Sequence, residues 1–259
     1  MYGTLYLIPC PISDETAPWD VLPAANRAVM DSLDYFIVEN TRSARRFLSK
    51  AGIARPIDTL EFRELNEHTV AGREVEELVK PLVEGRSAGV VSEAGVPGVA
   101  DPGALVVEAC HRHGIRVVPL VGPSSVILAV MASGLNGQSF AFNGYLPVKP
   151  PERVQAIRRF ERRAQSERQS QLFIEAPYRN EKLFGQLLRT LGAETRLTVA
   201  VDLTAPGGWV ETHTAGETRL TLAMDITAPG EYIRTLPVRE WRSVRLPEMN
   251  RRPAIFIIG

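Results

Sequence analysis

Ser92-Glu93-Ala94-Gly95-Val96-Pro97-Gly98-Val99-Ala100-Asp101-Pro102-Gly103 decides how this chain is read. It follows a short apolar run, Ala88–Val91, and precedes a helical pattern that begins near Ala104. Within twelve residues it holds three glycines, two prolines and two acids. A strand that feeds such a loop and then a helix sets backbone N–H groups and carboxylates at a strand's C-terminal end. In open α/β sheets ligands bind there. A βα connection this long is uncommon unless it has a function.

The same rhythm recurs on both sides. Thr4–Ile8 is β-rich and breaks at Pro9-Cys10-Pro11, because proline lacks the ladder donor. A helix capped near Asp20 and running to about Ser32 is expected next, with Leu22, Val29 and Leu33 as its apolar points. Tyr35–Val38 reads as a buried strand that ends in Glu39-Asn40-Thr41-Arg42, and Ile57–Phe62 as a third strand. Helices follow over Ala71–Val83 and Ala104–His113, and Gly114 is a natural stop for the second. Arg116–Val121 is the next strand, closed by Gly122-Pro123-Ser124-Ser125 before a small-residue helix, Val126–Ser133. Repeated strand–loop–helix units predict a parallel sheet with right-handed crossovers.

Composition shifts after Phe140–Leu146. Pro147-Val148-Lys149-Pro150-Pro151 reads as a stiff linker, so two α/β domains are expected, 1–146 and 147–259. In the second, helix Glu152–Glu167 is read with Val154, Ile157, Phe160 and Ala164 inward and its arginines, Arg153 included, around the rest. Its Glu152, Glu161 and Glu167 predict intrahelical pairing, set against an RNA-binding stripe as the sharper reading. Leu172–Glu175 is a strand, Glu181–Leu191 a helix and Pro253–Ile258 a final strand. Leu197–Gly207, LTVAVDLTAPG, resembles Leu220–Gly230, LTLAMDITAPG, and each reads as a hairpin. The second sheet is therefore expected to be mixed, with antiparallel hairpins.

The chain has 259 residues and balanced charge, 30 basic against 30 acidic side chains. No global field draws it to nucleic acid, so such binding needs a local patch. The basic residues are mostly arginine; lysine occurs only at positions 50, 80, 149 and 182. Two cysteines, Cys10 and Cys110, without metal-ligand spacing, predict a reduced cytoplasmic setting and no metal. The opening MYGTLYLIPC lacks the features of a secretion signal, and no apolar stretch is long enough for a membrane span.

Taken in order, Gly3–Tyr6 with Pro11-Ile12, Val38–Arg42, Asn66-Glu67, Val91–Gly103, Val118–Ser125, Phe142–Lys149 and Phe173–Arg179 resemble the tetrapyrrole methylase superfamily of S-adenosylmethionine-dependent methyltransferases. The likeness is to its ribosomal RNA small subunit methyltransferase I branch, which methylates a ribose 2′-hydroxyl. It implies two α/β domains with the cofactor in the cleft between them, and a homodimer. By position it implies cofactor contacts at Pro11, Glu93, Ala94, Val99, Ala100, Asp101, Ser124, Ser125, Glu175, Ala176, Leu203 and Thr204. Glu39 is the candidate base or substrate ligand, and Arg42 the candidate phosphate or carboxylate contact. RNA of the small ribosomal subunit is the expected acceptor. A tetrapyrrole or other small molecule is the alternative, as is a catalytically silent cofactor-binding module. Several motifs depart from the family pattern. Ile-Gly-Asn becomes Ile12-Ser13-Asp14, Glu-Asp-Thr-Arg becomes Glu39-Asn40-Thr41-Arg42, Ser-Asp-Ala-Gly becomes Ser92-Glu93-Ala94-Gly95, and Arg-Glu-Leu-Thr-Lys becomes Val201-Asp202-Leu203-Thr204-Ala205.

Overall fold

In the computed structural model the described residues are 1–65, 72–205, 208–214, 219–224, 232–237 and 254–259. They form two compact units, Met1–Ser124 and Ser125–Gly259. The division falls before the small-residue helix rather than at Pro147. The reason is pairing: Phe140–Tyr145 is a strand of the second unit's sheet, and the helix before it buries Val126 and Ala129 against that sheet. The Pro147–Pro151 stretch is no linker, because Pro150 already starts a helix. Proline is tolerated there since the first helical N–H has no partner to lose.

The first unit is an all-parallel sheet in the order β3-β2-β4-β1-β5. Its strands are β1 (Thr4–Ile8), β2 (Tyr35–Val38), β3 (Glu61–Glu64), β4 (Ala88–Val91) and β5 (Arg116–Pro119). β2 and β4 are buried on both faces, as the continuous apolar runs YFIV and AGVV require. Alternate residues go to opposite sides. Leu5, Tyr35, Ile37 and Val90 pack under α4 (Arg73–Val83) and α5 (Gly103–Arg112). Ile8, Phe36, Val38 and Val91 pack under α2 (Ala25–Ser32) and α3 (Thr41–Ala51). Each fully buried large apolar side chain contributes about 1.5–3 kcal/mol relative to exposure.

Two expectations change here. The helix expected to run unbroken to Ser32 is two, α1 (Pro18–Val21) and α2, with Asp20 inside α1 rather than capping it. Leu22 is extended between them, because the following Pro23 disfavours helical backbone before it. The third strand begins at Glu61, not Ile57: Pro56 leads into a short 3₁₀ turn over Ile57–Thr59 first.

The second unit is a mixed sheet in the order β6-β7-β12-β8-β9. It comprises β6 (Phe140–Tyr145), β7 (Ser170–Ile174), β8 (Arg196–Val201), β9 (Trp209–Thr214) and β12 (Ala254–Ile258). β6 and β7 are parallel; β12 runs antiparallel to β7 and β8. One face is covered by α7 (Pro150–Glu167) and α8 (Asn180–Thr190), the other by α6 (Ser125–Ser133). Arg153 of α7 is buried with Ala156, Ile157, Phe160 and Ala164, while Val154 is only half-buried, which corrects the expected inward set.

The sequence repeat is a repeat of structure. β8 and β9 form an antiparallel hairpin that closes at Val201↔Trp209. β10 (Arg219–Met224) and β11 (Tyr232–Pro237) form another that closes at Met224↔Tyr232.

Candidate active site

Because every strand of the first unit points the same way, the loops after β1, β2, β4 and β5 emerge at one edge. β1 and β4 are neighbours, and their loops meet. The Cys10 N–H donates to the Gly95 carbonyl at 2.8 Å, and the Cys10 thiol donates to the Ser92 carbonyl at 3.4 Å. Burial first, then the charges of Glu39, Asp101 and Asp14, push that thiol far above its ordinary range, so it is a structural group and not a nucleophile. The β5 loop closes on the β1 loop at Gly122. A Cβ there would stand 2.3 Å from Cβ of Pro9, a separation only glycine permits.

The Ser92–Gly103 loop is held from inside by Asp101. One of its oxygens, Oδ1, accepts from the N–H of Gly98 at 2.8 Å and of Gly103 at 2.6 Å. The loop keeps Gly95 and Gly98 at φ of 70° and 82°, and Ala100 at 55°, a left-handed backbone that alanine adopts at a cost. Glu93, Ala94, Val99 and Ala100 are exposed along its rim.

Glu39 leaves the end of β2 beside this loop. Its side chain hydrogen-bonds that of Asp101 and lies close enough to Glu93 to feel its charge. Burial first, then the Asp101 hydrogen bond and the charges of Asp101 and Glu93, push its carboxyl up to about 8. Two carboxylates cannot bond without a proton between them. Oδ2 of Asp101 is buried and accepts no hydrogen bond from an N–H or hydroxyl among the described residues. Next in sequence, Asn40 caps α3 by accepting from the Ser43 N–H at 3.0 Å. Asparagine caps as well as the family's aspartate while carrying no charge. Ser43 donates through its hydroxyl to Glu93 Oε1 at 3.3 Å. Arg42 is exposed, and among the described residues it makes no ion pair with Glu39.

Residues 6–218 match the family described as Tetrapyrrole (Corrin/Porphyrin) Methylases. The chain belongs to this family. It is 34% identical over 202 residues to "Ribosomal RNA small subunit methyltransferase I" of Xylella fastidiosa (strain Temecula1 / ATCC 700964), covering 78% of this chain and 69% of that one. To the protein of the same name from Halalkalibacterium halodurans it is 33% identical over 190 residues, 73% of this chain and 61% of the relative. To that of Escherichia coli O157:H7 it is 32% identical over 213 residues, 82% and 69%. The match thus spans about two thirds of these relatives' length. The fold is shared with the methyltransferase CobJ (TM-score 0.57, 16% identity, 99% of this chain and 94% of that one). It is also shared with uroporphyrin-III-C-methyltransferase from Thermus thermophilus (TM-score 0.51, 18% identity, 100% and 93%).

As a tetrapyrrole methylase the chain is an S-adenosylmethionine-dependent methyltransferase. The first unit's residues fit that cofactor. Gly98 has open space where a side chain would stand, and the carboxylates of Glu93 and Asp101 at the same edge suit a cationic group. Pro11 and Ser124 are half-exposed on the loops after β1 and β5.

In the second unit, Glu175 follows β7 with its side chain fully buried. Its Oε1 accepts from the Ala176 N–H at 2.8 Å and from Arg179 at 2.6 and 2.9 Å, while Oε2 lies 4.0 Å from the buried Arg153. Oε1 is thus held by structural partners, while Oε2 is buried and accepts no hydrogen bond among the described residues. Leu203 and Thr204 lie half-buried in the β8–β9 turn, where Asp202 and Thr204 hold φ of 49° and 79°. Ser125 opens α6.

Sequence reading names Glu39, Glu93 and Asp101 separately but does not show that they meet, and it misses Cys10 and Ser43. The Asn40-x-x-Ser43 spacing of a helix start is the one signal that could have flagged Ser43. Among the described residues no cluster of His, Cys, Asp and Glu is arranged to hold a metal ion, and no helix is long and apolar enough to cross a membrane.

Proposed function

We propose that this protein methylates a ribose 2′-hydroxyl of small-subunit ribosomal RNA, with Glu39 receiving the hydroxyl proton. The relatives' names support the acceptor. The observation that carries the reading is the Glu39–Asp101 pair at the edge where the β1, β2, β4 and β5 loops emerge. A ribose hydroxyl is a poor nucleophile until a placed base takes its proton. A carboxyl raised to about 8 is a far stronger base, once ionised, than an ordinary one. That poise also argues against a silent binding module.

When bound, S-adenosylmethionine supplies an electrophilic methyl on a positively charged sulfur. The protein's own work is to hold and orient that group with loop backbone, exclude water and take one proton at the Glu39 carboxylate. Asp101 acts through Glu39 as a positioning residue, fixed by Gly98 and Gly103. Arg42 is the proposed phosphate contact, exposed in the first turn of the helix that Asn40 caps. Cofactor contacts at Pro11, Glu93, Ala94, Val99, Ala100 and Ser124 belong to the same proposal. So do contacts at Asp101, Ser125, Glu175, Ala176, Leu203 and Thr204, with Oε1 of Glu175 already held by Ala176 and Arg179. A homodimer and a cytoplasmic setting complete it; two buried free thiols support the latter.

Transfer of radiolabelled methyl from S-adenosylmethionine onto cell extracts separated into RNA, protein and small molecules tests this. Label confined to RNA is expected. Label confined to small molecules would replace the acceptor, and label nowhere would overturn the reading.

A further inference from the structure

α7 carries basic residues at 153, 158, 159, 162 and 163 and acids at 152, 161 and 167. On paper three of these five charges are offset by the helix's own acids; in the structure the offset falls elsewhere. Each acid is spent elsewhere. Glu152 faces Lys149 at 3.5 Å, and Glu167 faces Arg163 at 3.0 Å. Glu161 turns away from the helix surface to accept from the Gly192 N–H at 2.6 Å and from the Thr195 hydroxyl. Arg153 is buried, on Gln186 and Glu175.

That leaves Arg158, Arg159 and Arg162 exposed, with no acid among the described residues to pair with. Helical spacing puts them on one face with Gln155 and Ser166, at i, i+3, i+4, i+7 and i+11. The face opposite the buried Arg153, Ile157 and Phe160 is thus polar and cationic, and Glu152 at its N-terminal edge is engaged by Lys149. Arg158 and Arg162 are separated by about 6 Å along the axis, at about 1.5 Å per residue. A solvated helix face of a protein with zero net charge normally interleaves both signs. Exposed guanidinium groups without a carboxylate partner, Arg159 lying 5.2 Å over the Phe160 ring, are suited to phosphate oxygens, which they meet in a planar fork.

We infer that the Arg158–Arg159–Arg162 face of α7 is a contact surface for the phosphate backbone of the RNA acceptor, apart from the methyl-transfer residues. The inference rests on the reading of that acceptor as RNA. The face binds charge and shape and reads no base, because guanidinium–phosphate contacts position a nucleic acid without carrying its sequence. Its purpose is to supply locally the cationic field that the whole chain lacks.

The test is binding of full-length protein to deproteinised small-subunit ribosomal RNA across a salt series, with wild type, the triple variant R158Q/R159Q/R162Q and the lysine triple R158K/R159K/R162K. Calorimetric binding of S-adenosylmethionine and the thermal midpoint report that the fold and cofactor site are intact. Each lost contact to single-stranded phosphate removes about 0.7 from the log–log salt slope, so the glutamine triple is expected to flatten it by about 2. Its affinity falls at low salt, its cofactor affinity stays unchanged, and the lysine triple keeps most of the slope. Unchanged RNA affinity and slope in the glutamine triple, with wild type binding RNA, overturns the surface and leaves the proposed activity standing. Failure of wild type to bind or methylate RNA overturns both.

Discussion

The Glu39 side chain is hydrogen-bonded to that of Asp101, and Asp101 is itself pinned by the N–H groups of Gly98 and Gly103. The loop that opened the reading of the sequence therefore does more than cradle a ligand. It holds a carboxylate in place against the end of a neighbouring strand, and that carboxylate adds to the burial that raises Glu39.

The pH dependence of stability follows in sign. Glu39 holds its proton in the folded state up to about 8, whereas in an unfolded chain it ionises in the ordinary carboxylate range. Between those limits the folded state binds more protons, so this group's contribution is full below the unfolded value and is lost as pH rises through the folded one. Glu39→Gln is expected to flatten that loss. Urea unfolding midpoints of wild type and variant should converge at low pH, separate in favour of the variant as pH rises from the ordinary carboxylate range to about 8, and stay apart by a constant amount above it.

Activity has the opposite sign, because the base must be ionised to accept a proton. The rate of methyl transfer is expected to rise with pH to a plateau above about 8, the value at which Glu39 loses its proton. Asp101→Asn removes the neighbouring charge and should move this inflection to lower pH. A pH–rate profile of both proteins checks it; an unmoved inflection in the variant would separate Asp101 from the base.

Gly122→Ala places a methyl 2.3 Å from Pro9, where backbone and a rigid ring cannot give way. A cost of about 1–3 kcal/mol, typical of overpacking, is expected in chemical unfolding, with weakened cofactor binding from the displaced β1 loop. Gly95→Val acts otherwise. Its Cβ has room, 3.6 Å from the nearest atom, but a branched residue at φ of 70° does not fit. Loss of cofactor affinity with the fold retained, read by calorimetry and circular dichroism, is the expected outcome.

Glu175→Ala strands the buried Arg153 without its counter-charge. Removing one partner of a buried pair costs about 3–5 kcal/mol, so this substitution should be among the most destabilising in the second unit. Glu175→Gln should recover part of that loss through its retained carbonyl acceptor.

β1, β2, β4 and β12 were legible because each is a short apolar run, and the helices because their apolar residues recur at helical spacing; β3, Glu61–Glu64, carries no such run and its start was misplaced. What the sequence concealed was partnership at a distance. Glu39 and Asp101 are far apart in the chain, and nothing local to either announces the other. The same holds for Arg153, read among the outward arginines of α7, whose partners, Glu175 after β7 and Gln186 on α8, are not local to it. α6 and β6 read as the last elements of a first domain ending at residue 146 because they follow β5 directly, yet the burial of α6 is against the second sheet. The broken α1–α2 segment was legible in Pro23 and was simply outweighed by the apolar points around it.

The central claim is that this chain places a methyl group on a ribose oxygen of small-subunit ribosomal RNA. The most direct measurement is to label that RNA with radioactive S-adenosylmethionine and the purified protein, then hydrolyse it in alkali. A methylated 2′-oxygen cannot attack the adjacent phosphate, so label recovered in alkali-resistant dinucleotides is the predicted result. Label released entirely as mononucleotides would place the methyl on a base and contradict the account.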